Sequence, residues 1–385
     1  MISRRGFLQG LSGAVASALA KNTVAASSAG TIDVKALGAF GDGKLPDLRQ
    51  LREAVRIAGE RRGGATIFFP PGNYYLGGIG DSALLVARGL ENVRFLGDRA
   101  TISCRSAYGQ SDMLQLAGCR NITIEGLKFR DHGFKREIDW LGAAAIRLAN
   151  DGRVGCDNID IKNCEFDSVL SAVVCRRPDD LSDRTRCRNI RLTDLRVARS
   201  YYGFNFQDNG DNVTGRGLRC SDVRRSYFPY GVSNHDIEIE AVNNATGYAD
   251  VLIKCYHNDT VGIKVKVKSR GKRGGDAIVI LDQQHERGRG TIRTVNLDLD
   301  VDDADCLLNA VVLIRSLDAK GRPERQTQSR WDDITIDGDV RACIRTSLIE
   351  IGTTSSTPGR MRIGPRLAKH PRLPKSFRGF MVDGI

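Results

Sequence analysis

The chain has 385 residues, 41% of them hydrophobic and 42 of them glycine, which excludes a disordered or collagen-like polymer and leaves room for a large buried core. The formal charge of +12 favours polyanionic partners, yet no nucleic-acid motif or aromatic-interleaved basic run is present, so nucleic acid is not an expected partner. No apolar stretch is long enough to span a bilayer comfortably, which argues against stable membrane insertion.

Residues 1–29 read as a twin-arginine secretion signal. Ser3, Arg4, Arg5, Gly6, Phe7 and Leu8 precede a weakly apolar run over 11–20 and small residues around Ala25, with cleavage expected near Ala26 or Ala29. Export machinery of that kind is therefore an expected partner, and the mature protein is expected in the periplasm or secreted. Loss of Arg4, Arg5 and Lys21 lowers the formal charge from +12 to +9. Outside the cytoplasm the abundant polyanions are acidic polysaccharides, so a basic surface there points to them.

Residues 30–80 read as an N-terminal cap and first coil. Leu48, Leu51, Val55 and Ala58 share one face of a predicted helix over 47–60, with Asp47 as N-cap, Gln50 three residues on and Gly63-Gly64 closing it. Such a helix would cover an open sheet edge.

Over 81–355 one pattern recurs. NITIEGLKF at 121–129, NIDIKNCEF at 158–166 and NIRLTDLRV at 189–197 alternate apolar and polar residues after a leading asparagine. Weaker copies begin near Asn92, Asn212, His235, Gly262, Val295 and Asp333, about 23 to 39 residues apart. A second strand precedes most copies, at 144–149, 172–175, 203–207, 250–254, 277–281, 310–314 and 348–351. Short strands in this rhythm without intervening helices predict an all-β right-handed parallel β-helix. Asparagine suits its corners, because it tolerates the left-handed conformation, and stacked copies can hydrogen-bond to one another. His235 reads as a replacement for the corner asparagine.

Equivalent outward residues stack on adjacent rungs, so opposite charges there attract. One predicted column runs Glu125, Lys162, Thr193, Arg216, Glu240, Lys266, Asp300, Asp337; the next runs Asp160, Arg191, Thr214, Glu238, Lys264, Asp298. Asp298, Asp300, Asp302 and Asp303 could hold Ca2+ as a cofactor, but Lys264, Lys266 and Lys268 on the preceding rung favour an ion-pair ladder. The ten cysteines occupy equivalent repeat positions, as small apolar fillers do; one bridge between neighbouring coils stays open geometrically. No Cys-x-x-Cys zinc spacing occurs. Residues 356–385, with Pro358, Pro365, Pro371 and Pro374, read as an irregular C-terminal tail.

IDVKALGAFGDGK at 32–44, the helix after it and GGATIFFPPGNYYL at 63–76 together resemble the opening module of the pectate-lyase superfamily of right-handed parallel β-helix proteins, which includes polygalacturonases and phage tailspikes. The resemblance implies that fold and a polysaccharide-related role, with sugar chains bound along one sheet and catalytic residues projecting from consecutive coils. The polygalacturonase motifs Asn-Thr-Asp and Gly-His-Gly are absent, and Arg-Ile-Lys is matched only by Leu252-Ile253-Lys254.

The strands preceding each asparagine copy end in unlike functional groups: Arg176 and Arg177, Gln207 and Asp208, Lys254 followed by Tyr256 and His257, Asp282 with His285, and Arg315. A lyase needs a base and a cation to stabilise the charge that proton removal creates; Lys254 and Arg315 could supply these, with His257 as the alternative base. A hydrolase needs two carboxyl groups, and residues two coils apart fall near the separations of about 6.5 to 9.5 Å that inverting glycosidases use. Asp208, Asp211 and Asp282 are the choices. Arg176, Gln207, Tyr256 and Asp211 complete the set as substrate-binding candidates, and no metal ligands are assigned. The apolar strands put Leu252, Val279 and Val312 outside, a stripe that something should cover: the loop over 317–330, the tail or a partner subunit. The reading is an exported enzyme that cleaves an acidic polysaccharide, by elimination rather than hydrolysis; the alternative is a non-catalytic β-helix that binds or organises polysaccharide.

Overall fold

A computed structural model describes residues 30–385 apart from 62, 80–82, 107–109, 136–141, 177–182, 245–248, 256–257, 273, 286–290, 319–330, 353–358, 378–380 and 384–385. The expected export signal, Arg177, Tyr256, His257 and the side chain of His285 lie outside the described residues.

The chain winds into a right-handed parallel β-helix. Strands of one sheet, here sheet B, run in the order Ala83–Arg88, Gln110–Ala117, Gly142–Ala149, Ser171–Cys175, Tyr202–Gln207, Arg225–Tyr230, Val251–Cys255, Val279–His285, Val312–Asp318 and Ile349–Ile351, each pairing in parallel with the next. The return path of each coil forms sheet A. Because alternate side chains point inward, one inward column reads Ile122, Ile159, Ile190, Val213, His235, Ile263, Val295, Ile334, Met361 down successive rungs.

Asn92, Asn121, Asn158, Asn189, Asn212 and Asn234 all hold φ between 53° and 58° at the entry to sheet A. The Nδ2 groups of Asn121, Asn158, Asn212 and Asn234 donate to the preceding corner at 2.7–3.2 Å, whereas Asn189 donates to Asp157 Oδ1 at 2.7 Å. Asn234, not His235, occupies its corner. His235 is inside, 1% exposed, between Val213 and Ile263, with Nδ1 bonded to the Tyr227 hydroxyl and Nε2 2.6 Å from the Gly210 carbonyl.

A second corner, at Asn163, Asp194 and Gly217, divides the early sheet A strands into two limbs. From Ser233–Val242 onward that corner is gone and the strand runs straight; the change is absorbed by a one-residue bulge between Gly215 and Leu218. The observed register corrects the predicted charge columns. Glu125, Lys162, Thr193 and Arg216 do stack, but beyond them Glu238 pairs with Lys266 and Lys266 with Asp298, while Glu240 pairs with Lys268 and Lys268 with Asp300. Asp236, not Glu238, precedes Lys264. Opposite charges still meet, at 3.4 Å for Lys162 and Glu125 and 3.5 Å for Lys266 and Glu238.

The helix Leu48–Glu60 buries Gln50, Leu51, Ala54, Val55 and Ala58 against the first coils. Asp47 sits at its N-cap position, but its carboxylate accepts from the backbone N–H of Phe40, Gly41 and Tyr75 instead of closing a capping box. In the tail, Arg360–Ile363 and Met381–Asp383 add two further parallel rungs where prolines suggested irregularity. Cys119, Cys156 and Cys187 stack in the core at 0–1% exposure, and all nine described cysteines are free thiols. The outward apolar stripe on sheet B is Leu252, Ile280 and Leu313; Val279 and Val312 face the core, one residue out of the predicted phase.

Candidate functional site

Sheet B carries one outward column of unlike polar groups. Gln207 pairs with Tyr230, Tyr230 with Lys254, Lys254 with Asp282 and Asp282 with Arg315. Arg176 directly follows Cys175, which pairs with Phe206, and so stands beside Gln207. Successive members are one rung, about 4.8 Å, apart. Parallel pairing thus brings five of the sequence-predicted residues, Arg176, Gln207, Lys254, Asp282 and Arg315, into a row, although they are spread over 140 positions of chain.

Its centre is a charge cluster. Asp282 Oδ2 lies 3.5 Å from Lys254 Nζ and 3.4 Å from Arg315 Nη2. The carboxylate side chain is 2% exposed, against 19% for Lys254 and 30% for Arg315. Asp282 Oδ1 and Arg315 Nε are buried without a hydrogen-bond partner. Burial pushes the Lys254 ammonium below its ordinary pKa, and Arg225 and Arg315 push the same way, outweighing the attraction of Asp282. At the other end, burial lowers the Arg176 guanidinium against the pull of Asp112. Arg176 forms no ion pair among the described residues, whereas Arg147 one rung column away meets Asp112 at 3.0 Å.

The remaining candidates lie off the row. Asp208 turns the chain at φ 47° with 0% exposure, and its Oδ1 accepts from Asn258 Nδ2 at 3.1 Å. Asp211 receives a bidentate Arg186 at 2.6 and 2.7 Å and also accepts from Ser233 N at 2.9 Å; burial works to raise its pKa, but these donors hold it below the usual carboxylate range. Asp211 ties its coil to its neighbours, and Asp208 reaches two coils on. The four clustered aspartates of the calcium reading are likewise engaged: Asp298 with Arg366, Asp300 with Arg270, Asp302 with Arg341, and Asp303 with Ser269 and the Lys272 N–H. Among the described residues no group of three or more His, Cys, Asp or Glu side chains is arranged to hold a metal.

Sequence reasoning missed Tyr230, which sits between Gln207 and Lys254, because Pro229 obscured the strand Arg225–Tyr230. It also missed Arg225, whose guanidinium lies 5.4 Å from the Phe228 ring centroid and 5.9 Å from that of Tyr202. The alternation of Tyr202, Phe228 and Tyr230 was the available signal.

No protein-family model and no curated protein matches the chain. Among solved structures it is similar to the A-module of the Azotobacter vinelandii mannuronan C-5 epimerase AlgE4, at 13% identity and a TM-score of 0.38, over 91% of this chain and 100% of that one. It is also similar to an iota-carrageenase complexed to iota-carrageenan fragments (13%, TM-score 0.42, 81% of this chain and 74% of that one) and to the Acinetobacter baumannii phage AM24 tailspike protein (11%, 0.44, 89% and 56%).

Proposed function

We propose that the protein is an exported enzyme that cleaves an acidic polysaccharide by β-elimination along the sheet B row. The observation that carries this reading is Lys254: an amine held in a largely buried position, with its pKa lowered, between a tyrosine on one rung and a carboxylate and an arginine on the next two. An amine whose charged form is disfavoured by burial can lose its proton and then accept the one beside a uronic carboxylate. Arg315, two rungs from Lys254, would hold that carboxylate and stabilise the charge that develops on it, while Arg176, three rungs away on the other side, would bind the carboxylate of another uronate along the chain. As the carbon–hydrogen pair becomes the new double bond, the glycosidic carbon–oxygen bond breaks, and the leaving oxygen takes a proton from Tyr230 or water. Hydrolysis is less well served, since Asp282 is the row's one carboxylate and is committed to two cations, while Asp208 and Asp211 serve the coil corners.

The second reading is a binder without turnover. It is favoured by the Lys254–Asp282–Arg315 pairing itself, which would also suit a fixed cationic row that grips a chain. Incubating the protein with a panel of polyuronates, while following unsaturated-product absorbance and reducing ends, separates the cases. Both signals rising together indicate elimination; reducing ends alone indicate hydrolysis; binding with neither indicates the second reading. Export through the twin-arginine route is tested by N-terminal sequencing of protein from the periplasm, with Arg4→Lys/Arg5→Lys expected to stay inside.

A further inference from the structure

Charge alternation along the outer face of sheet A breaks down in two places, and the molecule treats them differently. Asp298 stacks on Asp337, and Asp300 on Asp339. There the tail supplies Arg366, which reaches Asp298 at 2.7 Å, Asp337 at 3.1 Å and Asp339 at 3.3 Å. The opposite break is Arg196 on Arg219, adjacent rungs about 4.8 Å apart. Their side chains are 76% and 56% exposed. Among the described residues Arg196 meets Glu165 at 3.9 Å and Arg219 meets Glu240 at 3.7 Å, both at the outer limit of an ion pair and both on the far sides. Like charges directly opposite each other are destabilising. Nothing described neutralises the space between these two.

That space is also hollow. Where the bent strands with corners at Asn163, Asp194 and Gly217 give way to the straight strand Ser233–Val242, the surface forms a depression of about 800 Å³, and a second of about 390 Å³ adjoins it. Glu165, Arg196 and Arg219 line both. Lys128 and Arg199 line the smaller.

We infer that Arg196 and Arg219, with Lys128 and Arg199 beside them, form a second binding site, on a different sheet from the Lys254 row, for the carboxylate or sulfate groups of an acidic glycan. Down this column the rungs read Lys128, Glu165, Arg196, Arg219, Glu240 and Lys268; Lys128 meets Glu165 at 3.3 Å and Arg199 meets Asp167 at 2.6 Å, so the doubled cation Arg196–Arg219 is the place where an anionic group of a polymer would be held. The same hollow presents Glu165, Glu238, Glu240 and Asp194, which can accept hydrogen bonds from sugar hydroxyls on either side of the arginine pair, and its lining contains no aromatic ring on which bases could stack. The site does not depend on whether the row on sheet B cleaves.

The test is retention and equilibrium binding on polygalacturonate and on a sulfated galactan, with a single-stranded oligonucleotide as the third ligand. Arg196→Gln/Arg219→Gln should weaken binding to at least one glycan by about tenfold or more and reduce its salt dependence, while Arg196→Lys/Arg219→Lys should stay within about threefold of the parent. A charge-matched control on the same sheet, Arg341→Gln/Arg360→Gln, should change binding by less than about twofold. The glycan arm that shows the loss identifies carboxylate or sulfate. Equal losses from both glutamine pairs, no glycan binding, or an oligonucleotide bound more tightly than either glycan would overturn the inference. Product formation followed on the same samples keeps the two sites apart: loss of binding without any cleavage leaves this site standing and removes the other.

Discussion

Lys254 is the residue on which the chemistry turns. Replacing it with alanine should lower the rate of unsaturated-product formation by about 10²- to 10⁴-fold, the range that a positioned base supplies, while binding of intact polymer falls less. Since its pKa is depressed by burial and by Arg225 and Arg315, the rising limb of the pH–rate profile should lie below the ordinary range for a lysine. A limb at the ordinary lysine position, or products formed undiminished by Lys254→Ala, removes the assignment. A second residue-scale prediction concerns His235. Burial brings its pKa to about 4 despite the Gly210 carbonyl and Asp211, whereas in the unfolded chain it titrates near about 6.5. Between those values the unfolded state binds more protons, so stability rises with pH through that window: the contribution is complete above about 6.5 and is lost as pH falls towards 4, to the extent of about 3 kcal/mol. Urea titrations from pH 7 to pH 4.5 should show this slope. The double change Tyr227→Phe/His235→Val, which removes both partners and matches the Val213 above, should flatten it.

At the scale of the element, the corner asparagines decide how the coil turns. Asn121 holds φ 53°, donates to Asn92 at 3.0 Å and accepts from Asn158 at 2.7 Å. Asn121→Val should cost about 2 kcal/mol, from left-handed strain in a side chain that avoids it and from the two lost amide bonds. Asn121→Gly should cost less than half as much, because glycine adopts that φ freely. Equal midpoints for the two variants in urea would show that the corner is held by its neighbours alone. Corners and alternation are local properties and were legible at once, as NITIEGLKF shows. Strand phase was less so. Val279-Ile280-Leu281 and Val312-Leu313-Ile314 are apolar on both faces, and the polar residues that mark the outward side, Asp282 and Arg315, come only at the ends of these runs, so the stripe was assigned one position off. Arg225–Tyr230 escaped because proline is rare inside sheets.

For the whole molecule, stacking makes distant residues neighbours and hides others. Eight of the nine described cysteines are buried free thiols and Cys343 is exposed. A thiol reagent applied to native protein should therefore label Cys343 promptly, and those eight only as the chain unfolds; reduction should not change the mass of any peptide carrying them. A bridged pair among Cys119, Cys156 and Cys187 would contradict the structure.

Sequence alone determined the winding, because alternation with period two and a corner residue are set by neighbours along the chain. It also put Arg176, Gln207, Lys254, Asp282 and Arg315 at strand ends. Whether they meet depends on register between coils, and register is a difference between loop lengths and bulges that only packing resolves. The single extra residue between Gly215 and Leu218 puts Arg219, not Arg216, opposite a glutamate of the next rung, Glu240, and could not be seen without the rungs stacked on either side.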